Sequence, residues 1–364
     1  MRSTNIEYMP RLDHLRLLAA SLVFLFHLYH VLYGHWKPNT DAWGYGWIIE
    51  GHTGVTLFFV LSGYLFMTIA FRYKGDINYR RFMRNRFLRI FPLFLFIFFV
   101  AISISRDQFG SADWSYVFFS NLGRAPTSNH FITGAAWTIS IEFTFYMIFP
   151  FIASFAFIRG YGYLLRLIFL LGLFKVGAYF AADRAMHMYY STLLGRLDQF
   201  LLGMLAAFVS VQLLKKNKQL HVCWPLAALF VVWGLLAWQS HSFSFFDGDQ
   251  RSVYWIFWGL MEAVGWAFVI LCYVHWRGQV WKPVAAWMEF GGRISFSFYL
   301  WHALIIFLWE KLVGVPHWTG LWQLDFALQA LLLGGMTSLV AGLSYNTIEQ
   351  PFLNLRVKYS GKNE

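Results

Sequence analysis

Arg16 and His27 stand eleven residues apart in an apolar run. On an α-helix that interval is three turns plus about 20°, so both side chains project along one stripe, with His27 roughly 16 Å further along the axis. If Arg16 marks a membrane boundary, the imidazole sits about halfway through a hydrocarbon core of about 30 Å. Ionisable groups are costly there, and a low dielectric favours the neutral ring, the form that can accept a proton from a hydroxyl. The bland reading is a histidine satisfied by a neighbouring helix. His14 and His30 are expected at interfaces. A second constellation runs from Arg80 to Arg89, five arginines in ten positions just before a helix that tolerates Pro92. Arg86 and Arg89, three apart, share a face, and two guanidinium forks at a helix N-terminus suit phosphate or pyrophosphate. The competing reading is inner-face anchoring on anionic lipid.

The elements that must carry these residues are membrane helices. Among 364 residues, 58% are hydrophobic, 21% aromatic and only 13% charged, about half the charged share of soluble domains. One soluble core of this size could not enclose so much apolar bulk. Ten runs are long enough to span, at about 13–33, 52–71, 88–105, 137–157, 163–181, 190–213, 222–240, 252–274, 294–313 and 324–348. With both termini cytoplasmic, most of the 29 Lys and Arg fall on the inner side, as the positive-inside rule requires of an even span number. The net charge of +11 therefore reads as topology and not as nucleic-acid binding. The expected organisation is one all-α polytopic domain over 1–352 and a short basic cytoplasmic tail over 353–364. An amphipathic stretch at 114–119 interrupts the longest outer loop. Cys223 and Cys272 lie in apolar runs without metal-ligand spacing, so packing roles and no metal site are expected.

Six blocks in order carry a family resemblance. The Arg16-x10-His27 spacing resembles the first-helix motif of the acyltransferase family 3 of integral membrane proteins, and Gly54-Val-Thr-Leu-Phe-Phe-Val-Leu-Ser62-Gly63-Tyr64 its second-helix signature. Arg86-Phe-Leu-Arg89 is similar to its Arg-x-x-Arg element, and Trp137-Thr-Ile-Ser140-Ile-Glu142 to its Trp-Ser/Thr-Leu-x-x-Glu segment. Ser295-Phe-Ser-Phe-Tyr299-Leu-Trp-His302 and Ile348-Glu349-Gln-Pro351-Phe352 resemble its last two blocks. Departures from the pattern are His14 and Leu17, where glycines are usual, and Thr56, where an acidic residue is often found.

The resemblance implies O-acylation of carbohydrate, most often O-acetylation of bacterial surface polysaccharide such as lipopolysaccharide O-antigen, or of a lipid-linked glycan, in the bacterial inner membrane. The donor would be acetyl-CoA or another acyl-CoA from the cytoplasm, a co-substrate, with no tightly bound cofactor. Arg16, Arg86 and Arg89 would bind acyl-CoA phosphates at the inner mouth, and the pantetheine arm would carry the thioester towards His27 as general base; an acyl-histidine step is the alternative. Glu142, about 8 Å below an outer interface marked by Trp137, could orient or charge-balance His27. Ser140 points about 200° away from Glu142 on a regular helix, so both would serve one site only if the segment unwound. His302, at a depth close to that of His27, and Glu349, beside an arginine loop, are further candidates for the cavity lining with Ser140 and Trp137. Lys175, Asp183, Arg196, Asp198 and Glu262 are buried or interfacial charges; Arg196 and Asp198 cannot pair two apart, so partners on other helices are expected. A transporter or flippase using these buried groups as a path is the rival class, and a structural or sensory subunit a third.

Overall fold

The structure, a computed structural model, describes residues 5–34, 43–104, 137–181, 185–216, 218–243 and 252–359. The amphipathic stretch 114–119 and Asp183 lie outside the described residues. Among these residues the chain is helical, with one isolated bridge between Leu220 and Trp276 and no strand. Ten helices among the described residues are long and apolar enough to cross a membrane. They are α1 (Pro10–Tyr29), α2 (Thr53–Arg72), α3 (Tyr79–Ile104), α4 (Trp137–Arg159), α5 (Tyr161–Ala181), α6 (Leu193–Lys215), α7 (Cys223–Ser242), α8 (Tyr254–Val274), α9 (Lys282–Leu312) and α10 (Trp322–Ser344). The chain is an all-α, polytopic integral membrane protein, because only a helix satisfies its own backbone where no water can.

Three elements extend past the apolar runs. Helix α3 begins at Tyr79, so the arginine run is itself helical; α9 begins at Lys282, with a proline in its first turn. Helix α10 continues through a π turn, Tyr345–Glu349, into the short helix Gln350–Leu353. Hydropathy marks only the part of a helix that meets lipid, whereas Arg and Lys are good helix formers and give no stop signal.

Small residues set the close contacts at the centre. A Cβ on Gly54 would collide with the carbonyl oxygen of Ala19, and one on Gly51 would meet Leu22 and Phe26, so α1 and the start of α2 run antiparallel in contact. Gly63 abuts the backbone of Phe200, and Gly203 the backbone of Val60, drawing α2 and α6 together as small residues do in membranes. Gly292 sits against Asp13 while His302 meets His27, so α1 and α9 are parallel, as a first and a ninth span must be. Leu17, where a glycine is usual in the resembling family, is accommodated by Gly291 opposite it. On the outside, Phe169 and Phe180 of α5 and Leu331 and Leu339 of α10 are exposed, giving the apolar surface that hydrocarbon covers.

Residues 354–359 return across the arginine-rich side. The Asn85 side chain donates to the Val357 carbonyl at 2.7 Å and accepts from the Val357 amide at 2.9 Å. The Tyr359 amide donates to Asn5 Oδ1 at 2.8 Å, and the Tyr359 ring is buried. Within the segment expected as a short basic cytoplasmic tail, residues 354–359 thus form a strap packed on the bundle.

Candidate active site

A cavity of about 490 Å³ opens among α1, α2, α3, α4, α9 and the strap. Arg16, Arg86 and Arg89 all line it, so the three predicted anion-binding residues come together from two separate helices. Arg16 is held by Asp13 at 2.6 Å, one turn earlier on α1. Arg89 pairs with Glu349 at 2.7 Å, and Glu349 also accepts from the Ser297 hydroxyl. Arg86 donates to the Tyr359 hydroxyl at 2.9 Å and lies over the rings of Phe66 and Tyr146, at 5.0 and 5.7 Å; its buried Nε has no hydrogen-bond partner among the described residues. Glu142 lines the same cavity and accepts from Ser62 at 2.9 Å and from Tyr146, one turn away on α4.

Away from the arginines the cavity ends at Val55, Phe58, Thr138 and Tyr299. Thr138 and Tyr299 share a hydrogen bond of 2.9 Å, and Tyr299 meets Phe58 edge-on at 6.0 Å. His302 lies one turn of α9 beyond Tyr299, outside the cavity wall. Its Nδ1 is 2.5 Å from the Tyr299 carbonyl and its Nε2 is 3.0 Å from His27 Nδ1. His27 Nδ1 is also 3.0 Å from the Val23 carbonyl. A backbone carbonyl can only accept, so in neutral rings both Nδ1 atoms carry the proton. His302 Nε2 is then the acceptor for His27, and the lone pair of His27 falls on Nε2. His27 therefore sits roughly one helical turn, about 5 Å, past the Phe58–Tyr299 layer that closes the cavity.

The remaining predicted residues separate. Helix α4 is regular from Trp137 onward, so Ser140 turns away from Glu142 and bonds the Trp137 carbonyl at 2.9 Å. Neither Trp137, Ser140, His302 nor Glu349 forms the wall, although His302 bonds Tyr299 and Glu349 bonds Arg89, both of which do. Trp137 instead joins a second polar layer. There Arg196 lies over the rings of Tyr190 at 4.5 Å and Trp137 at 5.8 Å, and donates to the Tyr190 carbonyl and to Thr56. Thr56 in turn donates to Glu262 at 2.6 Å, so the acid missing from the α2 pattern arrives from α8. Asp198 pairs with buried Lys175 of α5 at 2.5 Å, which supplies the partner on another helix that the sequence demanded. His14 and His30, expected at interfaces, are buried, against the Tyr273 hydroxyl at 2.7 Å and the Ile49 carbonyl at 3.0 Å. Sequence reasoning passed over Tyr146, Arg293, Arg356 and Tyr359, which also line the cavity. Tyr146 had a readable signal, its i+4 spacing from Glu142.

Comparison with known proteins places this arrangement. A family model described as an acyltransferase domain matches residues 9–345. The chain is 26% identical over 388 residues to O-acetyltransferase OatA of Staphylococcus aureus (strain NCTC 8325 / PS 47), covering 95% of this chain and 57% of that protein. It is 26% identical over 397 residues to a putative O-acetyltransferase of Staphylococcus aureus strain MSSA476, covering 97% of this chain and 59% of that one. The chain thus spans little more than half the length of these relatives. No solved structure matches it. With ten membrane-length helices and a family match running from the start of α1 into the turn after α10, this chain belongs to the acyltransferase family 3 of integral membrane proteins.

Proposed function

We propose that the protein is a membrane O-acetyltransferase that moves an acetyl group from cytoplasmic acetyl-CoA to a hydroxyl of a carbohydrate on the extracytoplasmic side. The observation that carries this reading is a cavity that begins among Arg16, Arg86 and Arg89 and ends one layer short of His27. Guanidinium forks suit the phosphates of the donor, and the part lined by residues of α2, α4 and α9 suits an uncharged pantetheine arm. The relatives named O-acetyltransferases point to the same group transfer.

In this reading His27 Nε2 accepts the acceptor's hydroxyl proton as the oxygen attacks the thioester carbonyl carbon. The tetrahedral adduct expels the thiolate, which takes the proton from the imidazolium and leaves as the free thiol. His302 stabilises the imidazolium by accepting from its Nδ1–H. The Phe58–Tyr299 layer must part for the thioester to reach the ring. Glu142, bonded to Ser62 and Tyr146, acts as a fixed polar group on the arm's path.

The test is purified protein in lipid nanodiscs with radiolabelled acetyl-CoA and surface glycan. Acceptor-dependent label transfer is expected, abolished in His27→Ala while acetyl-CoA binding persists. In sealed proteoliposomes, intact glycan crossing the bilayer without acetyl transfer would establish the transporter class instead.

A further inference from the structure

The strap brings a cation to the cavity that the function above does not use. Arg356 lines the cavity, and the only side-chain hydrogen bond it makes among the described residues runs from Nε to the Leu353 carbonyl at 2.9 Å. Its charged neighbours are Arg89 and Arg86; burial, reinforced by those two guanidiniums, pushes its pKa down to about 10. The nearby carboxylates are engaged elsewhere. Glu349 holds Arg89 and Ser297, Glu142 accepts from Ser62 and Tyr146, Asp13 holds Arg16, and Glu289 accepts from Tyr8 at 2.9 Å. Three guanidiniums therefore line one cavity with a single carboxylate bonded among them, and among the described residues the buried Nε of Arg86 lacks an acceptor. Leaving a cationic donor buried and unsatisfied is costly, and a phosphate with several acceptor oxygens relieves both the repulsion and the missing bond.

The strap is built to hold Arg356 there. Asn85 clamps Val357 from both sides of its peptide, while Asn5 and the Asn78 amide hold the two ends of the Tyr359 backbone. Tyr359 then braces Arg86 through its hydroxyl. We propose that Arg356, delivered by this strap, completes with Arg86 and Arg89 a seat for the phosphomonoester of the donor nucleotide. The proposal rests on the acyl-CoA reading and adds to it a third residue and a particular phosphate.

The full chain in phosphatidylcholine nanodiscs binds radiolabelled acetyl-CoA, and adenosine 3′,5′-bisphosphate, dephospho-coenzyme A and S-acetylpantetheine serve as competitors. In Arg356→Gln, adenosine 3′,5′-bisphosphate competes at least tenfold more weakly, while dephospho-coenzyme A and S-acetylpantetheine stay within twofold of wild type. Arg356→Lys, which keeps the charge without the fork, gives an intermediate loss. Equal weakening of all three competitors means that Arg356 is structural, and unchanged competition means that it does not touch the nucleotide; either result overturns the proposal. Discs containing phosphatidylglycerol leave the wild-type affinity within twofold, whereas a rise to the Arg356→Gln value assigns the seat to lipid headgroups and also overturns it. Should wild type bind no acetyl-CoA in any disc, the donor reading falls and this proposal with it, an outcome distinct from a failure confined to Arg356.

Discussion

Replacing His302 with Ala tests the link between buried geometry and chemistry. His302 donates through Nδ1 to the Tyr299 carbonyl at 2.5 Å, which leaves Nε2 to accept from His27 Nδ1 at 3.0 Å. When His27 takes a proton during transfer, that contact becomes a hydrogen bond from a cation. Such bonds contribute about 1.5–3 kcal/mol, and at about 1.4 kcal/mol per decade their loss lowers kcat by a factor of about 10–150. The Val23 carbonyl stays in place as a second acceptor, so the lower half of that interval is expected. Because His302 lies outside the cavity wall, the KM for acetyl-CoA should stay within twofold. His302→Gln, whose amide oxygen can accept from His27, should recover part of the rate. Transfer of radiolabel from acetyl-CoA to glycan by purified variants gives both constants. Equal rates for Ala and Gln, or an Ala variant within twofold of wild type, would refute the role assigned to the His27–His302 pair.

Three further outcomes follow from particular contacts. Glu349→Gln frees the Arg89 guanidinium from its carboxylate and should tighten adenosine 3′,5′-bisphosphate binding severalfold in the competition assay; weaker binding would contradict a phosphate role for Arg89. Asp198→Asn leaves Lys175, 2% exposed, without its counter-ion, at a cost of about 3–5 kcal/mol, and the double variant Lys175→Met with Asp198→Leu should regain most of the lost thermal stability in detergent. Gly63→Ala drives a methyl into the Phe200 carbonyl, and an overpacking cost of about 1–3 kcal/mol should appear as an earlier unfolding midpoint, whereas Gly172→Ala, which meets nothing in the interior of α5, should not lower it and should raise it slightly through helix propensity.

Much of the architecture was legible because the membrane leaves few choices. A run of about 20 apolar residues can only be a helix there, so the number of spans and the relation of first to ninth helix follow from hydropathy. Helix periodicity also put Arg86 and Arg89 on one face, and both line the cavity, and it turned Ser140 away from Glu142. Spacing along one helix says nothing of what another helix presents. That Glu142 engages Ser62, that Glu262 meets Thr56, and that Lys175 reaches Asp198 are contacts across 80, 206 and 23 residues, respectively.

The sequence by itself determined that this chain lives in a bilayer, which residues are too polar to lie there idly, and which of them one helix can align. Only the tertiary structure decided that His27 is backed by His302, that Phe58 and Tyr299 stand between it and the cavity, and that the strap carries Arg356 to Arg86 and Arg89. The physical reason is that hydropathy and periodicity are properties of single segments. A hydrogen-bond partner or an electrostatic neighbour is a property of two segments, fixed only when helices approach closely enough for small residues such as Gly54, Gly63 and Gly292 to set their distance.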